Sequence, residues 1–171
     1  MTDNTLQWSK SIITISPARW ISLVQSVPME LLSMRPAPNE WSAIECLQHV
    51  VDVERVSFPM RIKALLAQQP FAGFNPADQP PKPAPTAALA DEFNQLRQQT
   101  LVLFDQITEA DLDNQSLHAE YGMVTMRQFA HHMAGHDLNH LVQAERALMQ
   151  PFIRGCGAWV VNYDDHIVKT P

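Results

Sequence analysis

The sequence predicts an all-α protein folded as a four-helix bundle, and two observations support this fold class. Prolines are concentrated in residues 28–38 and 70–85, and only five glycines occur among 171 residues, so long segments are left uninterrupted. Four of these segments carry apolar residues at helical spacing, whereas no convincing stretch alternates apolar and polar residues as a half-buried strand does. Four helices of this length are typical of a bundle.

The first predicted helix covers about 17–33. Ser16 has the side chain of an N-cap, and Pro17 suits the first helical position because an N–H there would have no helical partner. Pro28 is expected to kink or split this helix, since a proline inside a helix removes a hydrogen bond.

The second predicted helix begins after Ser42 and reaches about Gln68. Ser42 and Glu45 have the spacing of a capping box, in which each side chain accepts a hydrogen bond from the other residue's backbone N–H. Pro59 is expected to bend the helix, so its two halves should differ in direction.

The third predicted helix follows Thr86, and the fourth follows Thr125 and continues to about Gln150. Thr125 and Gln128 form a second capping-box pattern. Between these two helices we expect a short helical turn at 109–112 and then an irregular approach to the fourth helix.

The other segments complete one predicted domain that covers 1–171. The bundle takes up about 17–150, and the Pro-rich segment 69–85 is either a crossover connection or the rim of a cleft. The segment 151–171 is expected to be an irregular tail that packs on the bundle or on a partner subunit, because it is rich in aromatic residues.

Composition excludes several classes of partner. Twelve Lys and Arg against 18 Asp and Glu give a formal net charge of −6 without any basic run, which argues against a nucleic-acid surface. No segment approaches the ~20 consecutive apolar residues of a membrane span. Cys46 and Cys156 have no metal or disulfide-framework spacing and favour a reducing cytoplasm.

Histidines are concentrated in the fourth predicted helix, at His131, His132, His136 and His140. Residues four apart on a helix lie one turn above each other, so two imidazoles at this spacing can bind one cation. At 100° per residue, His136 and His140 lie on the apolar face, His132 lies at its margin and His131 points toward solvent. His136 and His140 are therefore the first candidates, with His132 as a possible supporting group.

A third ligand has to come from another helix, and His49 is the candidate. It shares a stripe of the second predicted helix with four apolar or weakly polar residues, namely Cys46, Val53, Val56 and Met60. A lone buried histidine is more often a hydrogen-bonded core residue than a ligand. Three inward-facing imidazoles, however, need partners that apolar neighbours do not supply.

Other polar side chains are candidates for supporting roles. Four residues are placed to orient ligand histidines, although each is also a plausible exposed residue or cap: Glu45, Asp52, Asp137 and Gln143. Tyr121, just before the fourth helix, is a candidate proton donor that could equally be packing. Cys46 on an apolar stripe is more typical of an inert small apolar residue than of a nucleophile.

Two segments resemble the DinB-like (YfiT-like) metalloenzyme superfamily. Residues 39–54, NEWSAIECLQHVVDVE, are similar to its second-helix signature, and residues 121–128 with 136–143, YGMVTMRQ and HDLNHLVQ, are similar to its last-helix signature. Their order and separation also fit, so the resemblance spans about 17–150.

The resemblance implies an up-down-down-up bundle, commonly a homodimer, with a divalent metal held by His49, His136 and His140. Imidazole ligands suit zinc or nickel first, with iron, manganese or cobalt as alternatives. Three neutral ligands leave the full charge of the cation and an open position for water or a substrate.

Two reaction classes follow from such a site. In the first, which characterised relatives in the superfamily suggest, the protein is a metal-dependent transferase that activates a low-molecular-weight thiol toward a small-molecule electrophile. In the second it is a metal-dependent hydrolase that activates water. A non-catalytic, stress-related metal-binding dimer is the third alternative, and the sequence contains neither a Gly-x-Ser-x-Gly elbow nor a phosphate loop.

Overall fold

The computed structural model describes residues 3–75 and 86–168. Within these ranges the long helices are α1 (Thr5–Ser26), α3 (Ala43–Val56), α5 (Thr86–Phe104) and α6 (Met126–Gly155). Shorter elements are α2 (Met29–Leu32), α4 (Phe58–Leu66) and two 3-10 helices, Glu109–Asp113 and Gly157–His166. Strands β1 (Gln115–His118) and β2 (Gly122–Thr125) precede α6.

The long helices form a four-helix bundle in which α1 and α3 each pack against both α5 and α6. Helices α1 and α6 run parallel, because Thr5 contacts His131 near their starts and Arg19 pairs with Glu145 further along both. Helix α5 runs antiparallel to α1, since Lys10 near the start of α1 pairs with a residue just beyond the end of α5, Asp105.

Helix α3 runs antiparallel to α6. The ring of Trp41, just before α3, lies 5.9 Å from that of His140, whereas Phe58 beyond its end lies 5.7 Å from Phe129 near the start of α6. Helices α3 and α4 run parallel to α5, because the two core clusters join like ends of these segments. One cluster contains the α3 residues Cys46, Leu47 and Val50 with Leu89, Ala90 and Phe93 from the first half of α5. The other contains the α4 residues Phe58, Ile62 and Leu65 with Leu101 and Phe104 from the end of α5. The predicted all-α, up-down-down-up four-helix bundle is thereby confirmed.

The predicted start of the first helix is wrong. Helix α1 begins at Thr5, so Pro17 lies in its interior, and the Ser16 hydroxyl donates to the backbone of its own helix instead of capping it. Pro17 has no N–H for the carbonyl of Ile13, one turn earlier. That carbonyl instead accepts a hydrogen bond from Arg97 Nη1 at 2.7 Å, so a tertiary contact replaces the missing helical one.

The predicted break at Pro28 is confirmed, since α1 ends at Ser26 and α2 begins at Met29. The capping box of α3 is also present as predicted. The bend near Pro59 is a break at Ser57, after which α4 begins. Helical phase is not continuous across this break, so Met60 does not continue the stripe of His49 and is exposed. Val56, the last residue of α3, is exposed as well, so the predicted buried stripe ends at Val53.

Helices α5 and α6 begin where they were predicted, and Thr125 and Gln128 form the expected capping box. Helix α6 continues past Gln150, through Pro151, to Gly155. The approach to α6, predicted to be irregular, is an antiparallel hairpin of β1 and β2. A bridge from Phe71 to His118 attaches the segment after α4 to the hairpin.

The tail is more regular than predicted, since Gly157–His166 is a 3-10 helix. It is attached through its backbone, because Arg146 and Gln150 of α6 both donate to the carbonyl of His166. Its aromatic residues do not make the contact, and Trp159 remains 71% exposed. The part of the Pro-rich segment at 76–85 lies outside the described residues. Across the described ranges, no helix has both the length and the apolar character needed to span a bilayer.

Candidate metal centre

Three histidines converge between α3 and α6. His49 of α3 lies opposite His136 and His140 of α6, and one ligand nitrogen from each can be chosen so that all lie within 4.8 Å of one another. The Nε2 atoms of His49 and His136 are 3.1 Å apart. The four-residue spacing on α6 supplies two of the rings, and the antiparallel packing of α3 supplies the third.

Aromatic neighbours fix the orientations of these rings. Trp41 stacks on His140 at 5.9 Å and 23°, and it also lies 5.0 Å from His49. Phe58, at the start of α4, meets the ring of His136 edge-on at 5.3 Å. Because the capping box of α3 follows Trp41 directly and the break at Ser57 precedes Phe58, local features of the sequence place both aromatic residues.

The three imidazoles are neutral at neutral pH. Burial, together with a smaller effect of the neighbouring histidines, lowers the pKa of His136 to about 2 and that of His49 to about 4. Burial also lowers the pKa of His140, although the hydrogen bond to Gln143 opposes this effect. Neutral imidazoles keep a lone pair and can therefore donate it to a cation.

The hydrogen-bonding of the rings fits a cation between them. Gln143 Oε1 lies 3.0 Å from His140 Nδ1, so Nδ1–H donates to the amide and Nε2 keeps its lone pair. Two neutral rings can share at most one hydrogen bond at the contact between His49 and His136. The Nδ1 atoms of these two residues have no partner among the described residues. A set of buried nitrogens with so few partners is suited to coordinating an ion.

His49, His136 and His140 are called the triad below. The other candidates from the sequence lie at different distances from it. His132 is exposed, and its ring centroid lies 5.7 Å from that of His136 without joining the ligand cluster. Asp52 is buried and forms an ion pair with Arg55 at 2.7 Å. Tyr121 is 75% exposed at the rim of the cleft. The buried Cys46 has its pKa raised to about 12 by burial, which leaves its thiol protonated.

A buried charge network, which the sequence did not predict, lies behind the triad. Arg97 of α5 donates to both oxygens of Glu54 on α3, at 2.9 and 2.8 Å, and to both oxygens of Asp137 on α6, at 2.5 and 3.0 Å. All three side chains are fully buried. With the bond to Ile13, this single guanidinium is hydrogen-bonded to α1, α3 and α6. The sequence feature that could have indicated this network is Asp137, an acidic residue next to His136 on a buried helix.

A cleft in two parts leads to the triad. The smaller part, about 160 Å³, is lined by His49 and His136 together with Phe74 and Glu120. The larger part, about 330 Å³, lies between α4, the hairpin and the start of α6, and is lined mainly by Phe71, His118, Met123 and Phe129. Both parts share Arg61, Tyr121 and His132. Neither Arg61 nor His118 is predicted from the sequence, although a charged residue at position 61 is unusual in the apolar run of Phe58, Ile62 and Leu65.

The up-down-down-up bundle and the three converging neutral imidazoles define the class of protein. It is a helical-bundle protein with a candidate metal site. The model of the DinB superfamily matches residues 12–144, and the chain therefore belongs to the DinB superfamily. A comparison with curated proteins gives no match.

Among solved structures, the chain is similar to YfiT from Bacillus subtilis, with a TM-score of 0.77 and 14% sequence identity. The match covers 89% of this chain and 90% of that one. YfiT is described as a probable metal-dependent hydrolase with an unusual four-helix bundle topology. At this identity the likeness establishes the shared fold.

Proposed function

We propose that this protein is a divalent-metal-dependent transferase in which His49, His136 and His140 bind the metal and a low-molecular-weight thiol is the nucleophile. The observation that carries the proposal is the convergence of three neutral imidazoles, two of which, His49 and His136, line a cleft. Zinc or nickel is the leading candidate, with iron, manganese or cobalt as alternatives.

The ligand set determines what the site can do. A divalent cation held by three neutral ligands acts as a Lewis acid and lowers the pKa of a thiol or water that binds to it. The protein holds the imidazoles in place through Trp41, Phe58 and Gln143. His132 and Asp52 lie further out, where we expect them to affect the site through their neighbours.

Thiol transfer requires little else from the protein. The thiol proton leaves to solvent through the open cleft, the sulfur forms a bond to the electrophilic carbon, and the leaving group departs with the electron pair of the broken bond. Tyr121 at the rim is the candidate proton donor for a leaving group that needs one. The aromatic lining of the cleft suits a small electrophile with apolar parts.

Hydrolysis is the second candidate, and it is favoured by the likeness to YfiT, itself described as a probable metal-dependent hydrolase. Water would replace the thiol as nucleophile, and Glu120, an acidic residue in the lining of the smaller part of the cleft, could accept its proton.

The metal ligands are tested by elemental analysis of the protein as isolated. We expect about one metal ion per chain, as in other three-ligand catalytic sites. His49→Ala and His140→Ala should each lose most of the metal, whereas His131→Ala, on the exposed side of the same helix, should retain it. Equal loss in all three variants, or no metal in the wild-type protein, would contradict the assignment.

The reaction is tested with the metal-loaded protein, monochlorobimane and either L-cysteine or glutathione, by following fluorescence of the thioether. Turnover that is lost in His49→Ala supports thiol transfer. Cleavage of p-nitrophenyl esters without thioether formation would replace that proposal with hydrolysis. Metal binding without either reaction would favour a non-catalytic metal-binding protein.

The quaternary structure and location belong to the same proposal. We take the protein to be a cytoplasmic homodimer that acts on small molecules and does not bind nucleic acid, in line with the family resemblance and the net charge of −6. Light scattering coupled to gel filtration measures the number of chains, and a monomer across the micromolar range would contradict the dimer.

A further inference from the structure

Arg61 is a buried positive charge beside the triad. It lies on α4 and is only 8% exposed, although its side chain lines both parts of the cleft. Within the described part of the chain, its Nε atom is buried without a hydrogen-bond partner, and no salt bridge involves its guanidinium. The other deeply buried arginine of the described chain, Arg97, is by contrast fully paired.

A guanidinium whose Nε is buried without a partner is costly, because transfer of a charged group out of water is compensated only by a partner. Burial lowers the pKa of Arg61, and the nearby Tyr121 and Glu120 only partly oppose this effect. An arginine nevertheless remains charged, since its ordinary pKa is above 12. The site therefore has a positive charge whose partner is not supplied by the described residues.

The surroundings of Arg61 hold it toward the cleft. Its guanidinium carbon lies 5.7 Å from the centre of the Phe71 ring, which is within the distance of a cation–π contact. Burial and then the positive charge of Arg61 lower the pKa of His118, so this neighbour is biased toward neutrality and does not add competing charge. Glu120, the acidic residue at the rim, is exposed and can remain solvated.

The geometry points to Arg61 as the binding site for a carboxylate of the substrate, so that the substrates are small carboxylic acids whose reactive end reaches His49 and His136. A fixed guanidinium recognises a carboxylate through two parallel hydrogen bonds. A single positive charge in a cleft of about 330 Å³ suits a monoanion better than a phosphate dianion. The part of this inference that concerns the reaction rests on the proposed function, whereas the binding of a carboxylate to Arg61 does not depend on it.

The test measures binding of sodium benzoate and of benzyl alcohol, which differ mainly in the carboxylate, by isothermal titration calorimetry or ligand-observed NMR. We expect benzoate to bind roughly tenfold or more tightly than the alcohol. Arg61→Met should remove this preference, and Arg61→Lys should restore part of it. Lys63→Met removes an exposed charge from the same helix and should leave the preference intact.

Each measurement is made on the protein as isolated and again after removal of metal with EDTA. A preference for benzoate that persists without metal supports Arg61 whether or not the metal proposal holds, and metal analysis decides that proposal separately. Equal binding of the two probes to the wild-type protein, or a preference that survives Arg61→Met, would overturn the inference.

Stability gives a second readout. Removal of an unpaired buried charge should leave the urea unfolding midpoint of Arg61→Met unchanged or higher. A large loss of stability, together with unaltered benzoate binding, would assign Arg61 a structural role instead.

Discussion

At the scale of single residues, the hydrogen bond between Gln143 and His140 makes the amide part of the candidate metal site. The amide oxygen holds Nδ1–H of His140 and thereby directs Nε2 toward the other two imidazoles. Groups that orient a ligand in this way affect both its tautomer and its position.

We expect Gln143→Leu to weaken metal affinity about 10–100-fold, because the ring of His140 would lose its hydrogen-bonding partner. Gln143→Glu should retain the affinity, since a carboxylate also accepts from Nδ1–H. Competition with a chelator of known affinity measures both variants. An unchanged affinity in Gln143→Leu would show that Trp41 and the helix alone orient the ring.

The neutral histidines also predict how stability depends on pH. In the unfolded chain His49 and His136 take up protons as the pH falls through about 6.5, but in the folded, metal-free protein their pKa values are about 4 and 2. The unfolded state therefore binds more protons between pH 6.5 and 4, and the free energy of unfolding decreases as the pH falls through this window.

We expect the free energy of unfolding of the metal-free protein to decrease by about 1 kcal/mol for each of these two histidines as the pH falls from 7.5 to 5.5. His136→Leu should lose correspondingly less than the wild-type protein over the same interval, whereas His131→Ala should behave like the wild type. Urea unfolding in EDTA at the two pH values gives the comparison. Identical pH dependence in wild type and His136→Leu would mean that His136 is not buried as described.

The positions of His136 and His140 could be predicted from the sequence, whereas those of Arg61 and Arg97 could not, and the reason is physical. The relation of His136 to His140 depends only on helical periodicity, which local sequence determines. The burial of Arg61 and Arg97 depends on which distant segments cover them, and residue type argues against it because arginine is rarely buried. Only the fold brings the carboxylates of Glu54 and Asp137 to Arg97.

At the scale of secondary-structure elements, Arg97 is the point at which the four long helices meet. It belongs to α5, pairs with α3 and α6 through carboxylates, and donates to the Ile13 carbonyl that Pro17 leaves free in α1. Because α3 and α6 carry the three imidazoles, this network also positions the candidate metal ligands.

We expect Arg97→Met to destabilise the protein by roughly 3–5 kcal/mol, because Glu54 and Asp137 would remain buried without a positive partner. Arg19→Met removes an exposed arginine that pairs with Glu145 at 3.5 Å and should change stability by about 0.5 kcal/mol or less. Chemical denaturation compares the two variants. A similar, small effect of both would contradict the role assigned to the network.

The elements also show where prediction failed. Pro17 predicts a helix start, because a proline inside a helix normally removes a hydrogen bond, and the sequence does not reveal that Arg97 supplies a replacement donor to the Ile13 carbonyl. The hairpin was missed because its two strands are only four residues each and β2 shows little alternation in burial. By contrast, both capping boxes were predicted correctly, since they depend on residues within one turn.

At the scale of the whole molecule, the order of the helices and their buried faces follow from the apolar periodicity and from the helix breaks near prolines. The up-down-down-up directions of the helices were implied by the family resemblance. The exposed aromatic side chains of the tail were not predicted, because local sequence does not show which surface a short 3-10 helix will use for contact.

Metal binding should stabilise the folded protein as a whole, because the unfolded chain does not hold the three histidines together. At a free metal concentration about 100 times the dissociation constant, we expect roughly 2.7 kcal/mol and an increase in Tm of roughly 5–10 °C. Differential scanning calorimetry with and without zinc measures the shift. His49→Ala should show little of it, and an equal shift in that variant would indicate that zinc binds elsewhere.

The larger part of the cleft has one wall from the start of α6, but much of its lining comes from segments that carry none of the three converging imidazoles. Phe71 follows α4, and His118 and Met123 belong to the hairpin, whereas the imidazoles lie on α3 and α6. Changes in the length or sequence of the hairpin can therefore alter the shape of this part of the cleft while the three imidazoles keep their positions. Such a separation allows substrate range to diverge between homologous proteins by replacement of one short surface segment.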